Sequence, residues 1–213
     1  NYMAHENMRL AAQVIACIRD EKKDIYGKIQ KLMQEEGTSL EQLEEELKDK
    51  MKKLYLPQPD EKTGIIPQFD GYFDLKEIDL SVYKNASVVG TVFHDYSGED
   101  VQGMQAGKQA DIVELLYQME DITTPDNKAK NYVYYEARTL HDSSLSKAIH
   151  SITACDLGME KEAYDMFMSA ALTDLGQEMK SSDAGIHSAN MGGVWQDVVM
   201  GFGGIRIRDG HLR

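Results

Sequence analysis

Tyr134-Tyr135-Glu136-Ala137-Arg138-Thr139-Leu140-His141-Asp142-Ser143-Ser144-Leu145-Ser146 and, downstream, Gly185-Ile186-His187-Ser188-Ala189-Asn190-Met191-Gly192-Gly193-Val194-Trp195 read as two short irregular segments carrying hydroxyls, imidazoles, one guanidinium and glycines. Each runs directly into an apolar pattern of helical period, at Leu145 to Leu157 and at Ala189 to Phe202. Polar groups placed there meet the unpaired N–H groups and the positive end of a helix, a setting that suits an oxyanion beside a sugar. Two units of polar loop followed by helix predict helix pairs arranged as a toroid, with the loops gathered at one end of the ring. No fixed sequence period marks a solenoid.

Helical period extends outward from these segments. Leu10, Val14 and Cys17/Ile18 form one stripe over residues 6–19, with Ala11 and Ile15 beside it. A second helix is expected from about Lys22 to Met33. Gly37-Thr38-Ser39 breaks it, and Ser39 with Gln42 predicts a capping box that opens a third helix carrying Leu40, Leu43, Leu47, Met51 and Leu54. Pro57 and Pro59 stop that helix, and residues 57–104 show no sustained periodicity, so a long irregular loop region is expected. Period returns at Lys108 to Met119 and at Lys161 to Leu175. Strand alternation starts only at Ile205-Arg206-Ile207-Arg208. The fold class is therefore all-α, with a short β segment at the C-terminal end.

The 213 residues, 42% of them hydrophobic, are enough to bury a core. A formal net charge of −13 repels the nucleic-acid backbone and anionic lipid, so neither nucleic acid nor membrane is expected as a partner, and an anionic ligand must be held by local donors. Cys17 and Cys155 lie in apolar helical patterns without CxxC spacing, which predicts buried free thiols in a reducing compartment. No run approaches the roughly 20 apolar residues that span a bilayer. A cytoplasmic location follows as the expectation. The opening Asn1-Tyr2-Met3, close to the start of a helix, suggests a piece of a longer protein.

Lys108 opens a helical pattern with a cation and reads either as a ligand group or as a solvent-facing lysine. Glu136, flanked by Tyr134, Tyr135 and Arg138, is suited to sugar hydroxyls; the alternative is a buried ion pair with Arg138 or Lys108. Ser143 and Ser144 could cap the following helix, although two adjacent hydroxyls exceed what a cap requires. His187, framed by Gly185, Gly192 and Gly193, could donate to an oxyanion that the glycines let backbone amides approach, or could sit in a capped turn. The six histidines are widely scattered and show no metal-binding spacing. Ser143, His187 and Asp183 could be drawn as a hydrolase triad, but any chain of this size offers such a set.

Taken together, Ile65 to Asp74, Lys108-Gln109-Ala110-Asp111, Tyr135 to Ser146, His150-Ser151-Ile152 and Gly185 to Trp195 resemble glycoside hydrolase family 65, which contains maltose, trehalose, kojibiose and nigerose phosphorylases. The motifs occur in family order across nearly the whole chain. The resemblance implies part of an (α/α)6 barrel: residues 1–204 as the C-terminal half of the catalytic barrel and 205–213 as the start of a C-terminal β element. It also implies that the general-acid glutamate lies shortly upstream, leaving no catalytic residue here and an inactive fragment.

The implied chemistry is inverting phosphorolysis of an α-glucoside to β-glucose 1-phosphate and a free sugar, with inorganic phosphate as co-substrate and no cofactor. An inverting hydrolase needs a second carboxylate to activate water, whereas phosphate is already anionic and needs positioning. By resemblance, Ser143, Ser144, His187 and the backbone near Gly192 and Gly193 bind phosphate, and Lys108 and Glu136 bind the sugar. The glycine-, valine- and aspartate-rich stretch from Lys84 to Gly107 matches no single specificity group, while the spelling of Gly185 to Gly193 is closer to kojibiose- or trehalose-type members than to maltose phosphorylases. The alternatives are a related hydrolase, disfavoured because Gly185 to Gly193 holds no carboxylate, and a non-catalytic helical carbohydrate-binding module. A half barrel separated from the missing N-terminal half would expose apolar surface, so self-association is expected.

Overall fold

The computed structural model describes residues 1–84, 89–176, 185–208 and 211–212, and the chain divides into two units, Asn1–Leu56 and Pro57–Arg213. In the first unit, α1 (Tyr2–Glu21), α2 (Lys23–Glu35) and α3 (Leu40–Lys53) follow the expected helices. Gly37 breaks the chain with φ 80°, and Ser39 opens α3 by accepting from the Gln42 amide at 3.1 Å. The Gln42 side chain faces the Thr38 hydroxyl at 3.4 Å, so only half of the expected capping box forms. Arg19 on α1 reaches Glu44 on α3 at 2.8 Å.

Helix α1 departs from the expected stripe. Ile15 is buried, but Leu10, Val14 and Cys17 are exposed. Within this unit α2 and α3 cover one side of α1, and Ile15 lies on that side. The buried thiol expected at Cys17 is thus corrected to an exposed one, and Cys155 is half-buried.

In the second unit, the described residues between 57 and 111 form no long helix but are tied down. A one-turn helix at Tyr72–Asp74, α4 (Ser81–Lys84), a turn at Thr91–His94 and α5 (Gly98–Gln102) punctuate the segment. Buried Asn131 accepts from the Ile66 amide at 2.8 Å and donates to the Gly64 carbonyl at 2.9 Å, and the Tyr135 hydroxyl donates to the Ile66 carbonyl. Leu80, Val92 and Leu140 close a small core beneath the loops. These anchors lie far apart in sequence, so no local periodicity announces them.

Helix α6 (Ile112–Gln118) begins four residues after Lys108, which lies in the preceding turn and not, as expected, in the helix. Helix α7 (Pro125–Glu136) corrects a further expectation, because Tyr134 to Glu136 form its last turn and are not irregular. Thr124 caps it by accepting from the Asn127 amide at 3.2 Å, and Pro125 takes the first position, where no N–H is needed. Its buried face is Asn131, Tyr132 and Tyr135, too polar to register as an apolar stripe.

Helices α8 (Ser146–Asp156), α9 (Glu160–Ala171) and α10 (Ser188–Gln196) match the remaining expectations, and α10 continues as a π-helical segment, Asp197–Phe202. Ala148, Ile149, Ile152 and Ala154 make α8 the most buried helix of the unit. Ser151 donates to the Ala163 carbonyl at 2.7 Å and Lys147 to the Ser169 hydroxyl, so α8 and α9 run antiparallel. A Cβ on Gly193 would sit 3.1 Å from the Ala148 Cβ, and one on Gly201 would meet Ile152 and Cys155 at 3.4 Å. Both sequences ascend together, so α10 runs parallel to α8 and starts at the same end. Beyond it, Ile207 pairs with Leu212 and Arg208 with His211, antiparallel. No helix among the described residues is long and apolar enough to cross a membrane.

Candidate functional site

Three helix ends meet where α8 begins. Glu136 closes α7, and the chain returns through His141, whose φ of 57° is unusual for a residue with a side chain, to enter α8 at Ser146. Hydrogen bonds of Gly107 to the Arg138 carbonyl, Leu140 to the Gly107 carbonyl and Asp142 to the Lys108 carbonyl lay the Lys108 turn alongside this return. Sequence position separates Lys108, Glu136 and Ser143; backbone pairing brings their segments together.

Glu136 is the hub. Its Oε1 pairs with Lys84 Nζ at 2.6 Å, and Lys84 also donates to the Glu136 main-chain carbonyl, a cation at the negative end of α7. His141 Nε2 lies 3.1 Å, and His150 Nδ1 2.5 Å, from Oε2. The Ser146 hydroxyl accepts from the Ala110 amide at 3.0 Å and so donates to His141 Nδ1 at 2.9 Å, which leaves the His141 proton on Nε2, aimed at Glu136. Burial pushes the Glu136 carboxyl upward, but the bonds from His141 and His150 outweigh it and hold the group well below the usual carboxylate range. Burial also pushes His141 down to about 4, against the pull of Glu136, so the ring is neutral at pH 7.

The ion pair expected for Glu136 with Arg138 or Lys108 is corrected to Lys84. Arg138 turns away to Glu77 at 3.1 Å, Gln105 at 3.0 Å and the Tyr134 ring, 3.7 Å below its guanidinium carbon, and is committed there and not to Glu136. The histidines read as scattered also converge in part, since ligand atoms of Glu136, His141 and His150 lie within 4.8 Å of one another. Lys84 already supplies the positive charge in that cluster, so the donor set suits an ammonium and not a metal cation. Lys84, Glu136, His141 and Lys147 line one side of a cleft of about 780 Å³, faced by Glu162 and Asp165 from α9.

Ser143 and Ser144 are half-buried. The Ser143 hydroxyl accepts from the Leu145 amide at 3.3 Å and its carbonyl from the Ser146 amide at 3.1 Å, while the Ser144 hydroxyl makes no hydrogen bond among the described residues. Ser143 thus does part of a cap's work two residues before the N-cap position, and Ser144 does none. His187 precedes α10. Its ring Nδ1 lies 2.6 Å from Asp174 Oδ1, and its amide donates to Asp174 Oδ2 at 2.8 Å. Asp183 lies outside the described residues. Because α8 and α10 are parallel and packed, the Ser143–Ser144 corner and the His187 corner occupy one end of the helix layer.

Gly192 and Gly193 lie inside α10, within the helical period expected from Ala189, and their amides belong to the helical ladder and not to an open anion site. Gly193 instead permits the close approach to Ala148 that sets the two corners side by side. The sequence reading missed Lys84, Ser146, His150 and Asp174 as parts of the site. Ser146 and His150 stand four apart, one face of a helix, and that spacing with the preceding His141 was the available signal. Lys84, at the end of α4, and Asp174, in the turn after α9, left none.

The profile of the glycosyl hydrolase family 65 central catalytic domain matches residues 1–196. A kojibiose phosphorylase of Halothermothrix orenii is 42% identical over the whole chain, which covers 26% of that protein. An alpha,alpha-trehalose phosphorylase of Thermoanaerobacter brockii is 34% identical, again over the whole chain and 26% of its own length. A solved structure from the human microbiome, described provisionally as a kojibiose phosphorylase, superposes with a TM-score of 0.74 at 29% identity, over 93% of this chain and 29% of that one. The chain spans about a quarter of the length of the curated relatives it matches. Its mostly helical architecture is that of part of an (α/α)6 barrel.

Proposed function

Since the chain belongs to glycoside hydrolase family 65, through that family's central catalytic domain, we propose that it is the C-terminal half of the barrel of an inverting disaccharide phosphorylase. In this reading residues 1–204 belong to the barrel and 205–213 start a further β element. The Ser143 and Ser144 hydroxyls and His187 hold inorganic phosphate, while Lys108 and Glu136 meet the sugar. Phosphate attacks the anomeric carbon from the side opposite the leaving sugar, forming the new C–O bond as the glycosidic C–O bond breaks. The leaving oxygen takes its proton from a general acid outside these residues, so the chain alone does not turn over.

The observation that carries the reading is the parallel packing of α8 and α10 through Gly193 and Ala148, which gives two hydroxyls and an imidazole a common end beside the Glu136 cleft. Lys84, His141 and His150 keep Glu136 ionised and fixed, so it serves as an acceptor for sugar hydroxyls and not as a proton donor. Gly192 and Gly193 act in this account through packing.

Asp174 favours a second reading. The hydrolase alternative was set aside for want of a carboxylate between Gly185 and Gly193, yet Asp174 brings one to His187, and an aspartate–histidine pair can activate water. The polypeptide containing this domain, supplied with kojibiose, trehalose or nigerose, decides between them. Sugar release that requires phosphate and yields β-glucose 1-phosphate supports phosphorolysis; release independent of phosphate supports hydrolysis. Glucoside binding with turnover of neither kind would make the domain a binding module.

A further inference from the structure

The contact between Asp174 and His187 has a definite chemical sense. The His187 hydrogen bond holds the Asp174 carboxyl below the usual carboxylate range, so Asp174 is an acceptor only. Its two oxygens take different groups of one residue, the ring Nδ1 at 2.6 Å and the main-chain amide at 2.8 Å. The ring therefore keeps a proton on Nδ1 and cannot rotate without breaking a bond, while the amide bond holds the backbone entering α10. Asp174 is shielded, with 11% of its side chain exposed, whereas the His187 side chain is 32% exposed. The carboxylate sits behind the ring, and the ring faces outward.

We propose that Asp174 is the positioning residue of the anion corner: it fixes the His187 tautomer and orientation so that Nε2 meets a phosphate oxygen through a single proton. With Nδ1 already protonated, Nε2 either carries that proton as imidazolium or receives it from the P–OH of hydrogen phosphate. Both arrangements give one N···H···O contact and no repulsion between lone pairs. Without Asp174 the proton is free to move to either nitrogen and the ring to turn, because the partner of one ring nitrogen sets the state of the other. Asp174 touches neither phosphate nor sugar, and acts through His187. The inference rests on the phosphate-binding reading and adds to it a residue that follows α9, in a turn outside the stretches that carry the family resemblance above.

The test uses the 213-residue chain, its Asp174→Asn and Asp174→Glu variants, and inorganic phosphate. Ring-nitrogen NMR of His187 should show Nδ1 protonated in the parent chain and in Asp174→Glu, and a mixture of tautomers in Asp174→Asn. Phosphate affinity should fall by about tenfold or more in Asp174→Asn and be largely restored in Asp174→Glu, the scale on which the carboxylate partners of metal-binding histidines act. Amide spectra that agree beyond the His187 corner verify that the variants fold. Identical ring-nitrogen spectra in the parent chain and Asp174→Asn overturn the proposal, as does an altered ring with unchanged phosphate affinity. A parent chain that binds no phosphate overturns the phosphate reading instead, and the proposal then stands or falls on the ring nitrogens alone.

Discussion

Asp197 offers a quantitative test of the helix layer that carries the site. It is fully buried at the start of the π-helical segment, and neither carboxyl oxygen has a hydrogen-bond partner among the described residues. The nearby Ser151 hydroxyl has one proton and gives it to the Ala163 carbonyl at 2.7 Å. Burial accordingly raises the carboxyl from 3.8 to about 6. The folded chain thus binds this proton more tightly than the unfolded chain, so the stability tied to it is complete below about pH 4 and is lost as pH rises through about 6. At about 1.4 kcal/mol per tenfold change in proton affinity, the loss reaches at most about 3 kcal/mol by pH 8. Asp197→Asn, which cannot ionise, should match the parent near pH 4 and exceed it by about 2–3 kcal/mol at pH 8. Urea unfolding followed by circular dichroism from pH 4 to 8 measures the difference, and subtracting the parent curve removes the opposite drift from His141 and Glu136, whose lowered values cost stability on acidification. A difference that stays flat across this range would refute the reasoning.

Asn131→Ala leaves the Ile66 amide and the Gly64 and Asn127 carbonyls without their partner, and should cost about 2–4 kcal/mol, with faster hydrogen exchange at Ile66 well before global unfolding. Gly193→Val should be destabilising by about 1–3 kcal/mol, because crowding against Ala148, 3.1 Å from the added Cβ, outweighs the gain from removing a helical glycine; phosphate affinity should fall with it. Leu10 and Val14 on α1, and Met191, Trp195, Val198 and Phe202 along α10, leave apolar side chains exposed. Sedimentation of the isolated chain should show concentration-dependent self-association, and a stable monomer at all concentrations would contradict it.

Legibility in the sequence followed the physics of each signal. Helices with an apolar stripe, such as α3, α8 and α9, were visible to within a few residues because their period is local. Helix α7 was not, since its buried face is an asparagine and two tyrosines held by long-range hydrogen bonds. On α1 the period was right and the buried side was wrong, because partners and not pattern decide which of two apolar faces is covered. At the site, the residues on the two polar stretches were legible as chemistry. Lys84 and Asp174 were not, for Lys84 reaches Glu136 from the end of α4 and Asp174 reaches His187 from the turn after α9, segments whose own pattern carries no sign of the contact. Gly192 and Gly193 stood out in sequence for the backbone access they allow, whereas the helix contact of Gly193 with Ala148 needs the packed fold to be seen.

The claim on which the rest depends is that the start of α8 and the start of α10 form one anion site. Titrating the isotope-labelled chain with inorganic phosphate, and following the Ser143, Ser144 and His187 resonances together, tests it most directly. The account predicts that all three shift along a single saturating isotherm while the Arg138 and Tyr134 signals stay still. Separate isotherms for the serines and the histidine, or no response at either corner, would contradict it.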